Sequence, residues 1–111
     1  MTDQQTPIQR MLGDVAPEFA ALTDDVLFGR VWARTAELSP RDRSLVTITS
    51  LVSAGNIEQL SAHIPMGVAN GLTREEIVEA ITHVAFYAGW PRAVSALTLA
   101  KQLFASSGEA A

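Results

Sequence analysis

The sequence predicts an all-α fold, a single-domain helical bundle of about six helices, and three observations carry that prediction. Apolar residues recur at near-helical spacing through most of the chain, helix-stopping and helix-starting residues punctuate it, and no stretch alternates in the manner of a strand. At 111 residues the chain reads as one domain over 1–111, with residues 1–6 and 106–111 as flexible tails because both ends are small or polar.

The elements follow in order. Pro17 to Phe28 carries Phe19, Leu22, Val26 and Leu27 close to a helical period, and Gly29 then marks a break before a short turn holding Val31 and Trp32. Ser39-Pro40 is a cap followed by proline at the first helical position, opening a helix through Leu45, Val46, Ile48, Leu51 and Val52 that ends near Gly55. Apolar residues cover most of its circumference, which suits the centre of a fold or a subunit interface. The next helix starts near Asn56, contains Pro65 and stops at Asn70-Gly71. Thr73-Arg74-Glu75-Glu76 is a capping box leading into an apolar stripe of Ile77, Ile81, Val84, Ala85 and Ala88. Gly89 closes that helix, Pro91 opens the last one, and Val94, Leu97 and Phe104 carry it to about Ala105.

Composition excludes several functions. Hydrophobic residues make up 48% of the chain and charged residues only 18%, too apolar for disorder and enough to leave helix faces without a partner in one copy, so a homo-oligomer is expected. A net charge of -4 with scattered basic residues argues against nucleic acid as a partner. No apolar run approaches the roughly 18 to 20 residues of a membrane span. The polar start Thr2-Asp3-Gln4-Gln5-Thr6 lacks signal-peptide order, so no membrane partner and a cytoplasmic location are expected. Cysteine is absent, which removes disulfides, thiolate catalysis and thiolate metal sites.

Chemistry concentrates around two histidines. Glu79, His83 and Tyr87 fall at successive four-residue steps and so share one helix face, forming a polar ridge. A carboxylate beside an imidazole can orient it and raise its basicity, as a general acid or base near neutral pH requires. The same ridge would also serve as a surface ladder with a packed tyrosine. His63 follows Gln59 by four residues and Glu58 by five, so Gln59 is its more natural same-face neighbour; it reads either as a ring turned into a cavity by a kink at Pro65 or as a core histidine bonded to a free backbone carbonyl. Two histidines without an HExxH spacing make at most a partial ligand set, so no metal is expected. Trp32 and Trp90 suit core packing, a subunit contact or the wall of a binding site. Arg34, Arg41 and Arg43 cluster around the Ser39-Pro40 cap, and a guanidinium near a histidine cavity suits a carboxylate-bearing substrate.

Four segments resemble the carboxymuconolactone decarboxylase family: Arg43-Ser44-Leu45-Val46-Thr47-Ile48, Glu58 with His63, Asn70 through Ile77, and His83 through Pro91. The likeness runs over roughly residues 28–104. It implies an alkylhydroperoxidase-D-like subunit in a trimer or hexamer, and a cofactor-free lyase or isomerase acting on a small carboxylated or lactone-type compound. A sister branch uses a Cys-x-x-Cys pair, whose positions resemble Asn56 and Gln59 here, so thiol peroxidase activity is not expected. Arg30 stands where decarboxylases of the family tend to carry a glutamate, and Ala88 where they carry a cysteine. The roles this assigns are His63 and His83 as acid and base, Glu58 or Glu79 as orienting carboxylate, and Arg43 or Arg30 as carboxylate anchor. Trp32, Tyr87 and Trp90 join them around the substrate. The alternative is a non-catalytic oligomeric or ligand-binding module of the same fold.

Overall fold

The computed structural model describes residues 5–107, which form six α-helices, one π-helix and one short 3-10 turn, with no strand among them. Of the expected tails, residues 1–4 and 108–111 lie outside the described residues, whereas Thr6 caps the first helix and Ser106 closes the last. The chain divides into two compact units, residues 1–39 and 40–111.

In the first unit, α1 (Pro7–Leu12) opens on a capping box that the sequence reading placed in a tail. Thr6 Oγ1 accepts from the Gln9 N–H at 3.3 Å and donates to the Asp24 carboxylate at 2.9 Å, which ties the start of α1 to a residue eighteen positions on. Pro17 starts α2 (Pro17–Leu22), which continues as a nine-residue π-helix, Thr23–Val31.

Gly29 does not break this helix, contrary to the sequence expectation. In a π-turn the donor reaches back five residues rather than four, as when the Trp32 N–H donates to the Leu27 carbonyl at 2.9 Å. A Cβ on Gly29 would stand 3.0 Å from the Asp24 carbonyl oxygen, also five residues back. A side chain here would crowd that carbonyl, and the φ of Gly29 is not in the left-handed region occupied by Gly55, Gly71 and Gly89.

The second unit holds the core. Helices α3 (Pro40–Ala54), α4 (Leu60–Ala69), α5 (Arg74–Ala88) and α6 (Trp90–Ser106) contribute Ile48 and Val52, Leu60 and Ile64, Ile77, Ile81 and Ala85, and Ala93, Ala96 and Ala100 respectively. Alanines at every buried position of α6 let it lie close against its neighbours. Gly67 has the same use on α4, since a Cβ there would meet Leu72 Cδ1 at 3.0 Å and Ile48 Cδ1 at 3.1 Å. The helix α4 runs on past Pro65 to Asn70, whose amide donates to the fully buried Ser44 hydroxyl at 3.0 Å and so ties the end of α4 to α3.

The corners are short. Gly55, at φ 77, ends α3, and Arg92 donates to the Ser53 carbonyl at 2.8 Å, satisfying one of the carbonyls that a helix end leaves open. Gly89, at φ 107 and ψ 143, is at once the last cap of α5 and the first cap of α6.

Candidate functional site

The α5 capping box sets the rotation of the helix that carries the polar ridge. Thr73 Oγ1 accepts from the Glu76 N–H at 3.0 Å, and Glu76 Oε1 accepts from the Thr73 N–H at 2.9 Å. With Ile77, Ile81 and Ala85 turned into the core, the face carrying Glu76, Glu79, Ala80, His83, Val84 and Tyr87 is left to line a groove. Its other wall comes from α3, through Arg41, Leu45, Val46 and Thr49. The groove encloses about 740 Å³, within the range of small-molecule sites.

His83 and Tyr87 stand side by side, their ring centroids 5.2 Å apart and their planes tilted by 36°. Glu79 lies one turn before His83 on the same wall. Both residues are exposed, and no hydrogen bond joins them. The groove thus has an imidazole and a phenol at one end, a carboxylate beside them, and apolar side chains between them and Arg41.

Arg41 is fixed from two directions. Its Nη1 donates to Asp42 Oδ1 at 3.0 Å and its Nη2 to Glu76 Oε2. The hydrogen bond and charge of Glu76 hold the guanidinium above its ordinary range. The Thr73 N–H most of all, with Arg41 adding to it, holds the Glu76 carboxyl below the usual carboxylate range against the opposing effect of burial.

The structure brings together only some of the residues that the sequence nominated. Glu79, His83 and Tyr87 line the groove; His63, Glu58, Arg43 and Trp90 do not. His63 is half-buried on α4 with Nδ1 buried and without a hydrogen-bond partner, and burial pushes its pKa down. Glu58 is exposed in the 3-10 turn Ile57–Gln59, between Asn56 and α4. Arg43, two positions beyond Arg41 on α3, is half-buried away from the groove wall. Trp90 is 60% exposed at the start of α6, edge-on to Phe86 with centroids 5.6 Å apart. Arg30 and Trp32 belong to the first unit, where Trp32 packs against Phe28 at 6.0 Å. Among the described residues no group of three or more His, Asp or Glu is arranged to hold a metal ion, and no helix is long and apolar enough to cross a membrane.

Sequence reasoning named Arg41 only as one of three arginines around the Ser39-Pro40 cap, with the anchor role given to Arg43 or Arg30, and it missed Glu76 as a residue of the site. The one available signal was the capping box, which fixes where Glu76 points; the partner on α3 lies 35 residues away in sequence.

An all-helical, cysteine-free chain with an imidazole, a phenol and two carboxylates along one apolar groove is the class that fold and site define. Residues 17–102 match the Carboxymuconolactone decarboxylase family, and the chain belongs to it. It is 34% identical over 97 residues to a 4-carboxymuconolactone decarboxylase of Acinetobacter baylyi, covering 87% of this chain and 72% of that protein. It is also 30% identical over 97 residues to a nitrosuccinic acid decarboxylase of Metarhizium robertsii, covering 87% of this chain and 62% of that protein.

Proposed function

We propose that the chain is a cofactor-free decarboxylase acting in the cytoplasm on a small carboxylated or lactone-type compound, with the groove between α3 and α5 as its active site. The observation that carries this reading is the pairing of His83 with Tyr87 at one end of an apolar groove, in a family whose two relatives named above are both decarboxylases. When the bond to the departing carboxylate breaks, its electron pair stays on the organic fragment as a carbanion or dienolate, and carbon dioxide leaves. Protonated His83 then delivers a proton to the carbon, and solvent reprotonates the imidazole. Tyr87, beside it on the same helix face, offers a hydroxyl to the developing oxyanion.

His63 stands outside the groove walls, so proton transfer is assigned to His83. Of the expected anchors, Arg43 is off the wall and Arg30 lies in the other unit. The proposal also takes both units as one domain, and as part of a trimer or hexamer. Support for assembly comes from exposed Phe86, Tyr87, Trp90 and Val94 in the second unit and Phe19, Leu22, Leu27 and Val31 in the first. The missing Glu79–His83 hydrogen bond favours the other reading, a binding module without turnover. Release of carbon dioxide from carboxylated lactones, compared between the wild type and His83→Ala, decides between them: turnover that depends on His83 supports the lyase, and saturable binding without release supports the module.

A further inference from the structure

We infer that Arg41 seats the carboxylate that the substrate keeps, at the end of the groove away from the bond that breaks. The inference rests on the groove being the active site. A carboxylate locked to a guanidinium is stabilised in the ground state and so is ill placed to leave as carbon dioxide; the carboxylate on Arg41 is therefore the one carried into the product.

The geometry has three parts. Arg41 is the cation of the groove wall, with its side chain 39% exposed. A guanidinium carries five N–H donors, and the contacts to Asp42 and Glu76 engage one each on Nη1 and Nη2. The Nε–H and one N–H on each terminal nitrogen are left for a ligand. These two contacts also hold the side chain in place, so little rotamer freedom is lost when a ligand binds.

Glu76, which holds Arg41, lies two turns before His83 on α5. At 1.5 Å per residue that is about 10 Å along the helix, and His83 leans back toward the helix start, which shortens the gap. A carboxylated ring seated on Arg41 would lie along this stretch of the groove, whose lining includes Leu45, Val46 and Val84.

An anchor that holds substrate, transition state and product alike raises affinity without raising the rate of the chemical step. The probes are therefore product-like: γ-butyrolactone-γ-carboxylate and its uncharged methyl ester, with binding followed by calorimetry. The wild type should prefer the acid by about ten- to hundredfold, the range of a charge-assisted contact. Arg41→Gln should bind the ester as before and lose the preference, and Arg41→Lys should restore part of it. Val46→Trp, at a position 58% exposed in the groove wall, should exclude both probes. If Arg41→Gln keeps the acid preference, or loses the ester as well, while Val46→Trp excludes both, the role of Arg41 is overturned and the groove stands. If Val46→Trp leaves both bound, or the wild type binds neither, the groove reading falls and the anchor with it.

Discussion

The imidazole of His83 and the ring of Tyr87 are neighbours by helix geometry alone, one turn apart on α5 with centroids separated by 5.2 Å. Their pairing depends on no contact from a distant segment, so it persists wherever α5 is folded. His83 is also exposed, and truncating it leaves no cavity.

His83→Ala should therefore lower turnover by about a hundredfold to ten-thousandfold, the usual contribution of a general acid or base, with an unchanged melting temperature. Full activity per folded molecule in this variant would remove His83 from the chemistry.

His63 supplies a pH dependence of stability. Burial lowers its folded pKa, so the unfolded chain takes up the proton first as pH falls. The stability of the neutral ring is fully present above the unfolded value of about 6.5 and declines as pH drops through it toward the depressed folded value. Urea unfolding should become easier across that window, and His63→Leu should flatten the decline. An identical slope in both proteins would show that the ring carries no such penalty.

The Asn70–Ser44 contact joins α4 to α3 around a fully buried hydroxyl. Asn70→Ala leaves Ser44 without that donor and should destabilise the fold by about 1 to 3 kcal/mol. A midpoint within error of the wild type would mean that water or a rotated hydroxyl replaces the amide.

Assembly is tested at Phe86 and Trp90, 76% and 60% exposed and packed edge to face. Light scattering of the wild type at micromolar concentration should give a trimer or hexamer, and Phe86→Asp with Trp90→Asp should shift it toward smaller species. A folded wild-type monomer would remove the oligomer from the proposal.

The sequence was most legible where the determinants are local. The Thr73–Glu76 box and the apolar stripe of Ile77, Ile81 and Ala85 lie within one helix, so both α5 and the ridge opposite its core face follow from spacing. Ser39-Pro40 and Gly89 marked their corners for the same reason. The π-helix was not legible, because a five-residue register has no compositional mark and Gly29 carries the same letter as a helix stop. Nor was Arg41: three arginines near one cap look alike in sequence, and only the approach of α3 to α5 puts Arg41, and not Arg43, in the groove wall. Thr6 and Gln9 form a capping box as local as that of α5, which the reading of Thr6 as part of a polar tail conceals.

Gly89 joins α5 to α6 as a corner one residue long, in a backbone region essentially reserved for glycine. A joint of that length has no slack. Any widening of the groove that moved α5 would drag α6 and its close-packed alanines with it, a displacement that a dense interior resists. If the groove is the active site proposed above, adjustment to ligands of different size falls to side chains, such as Val46 and Tyr87, rather than to the helices. On that proposal, a change of substrate is accessible by replacing single residues on the groove walls, with the backbone left as it is.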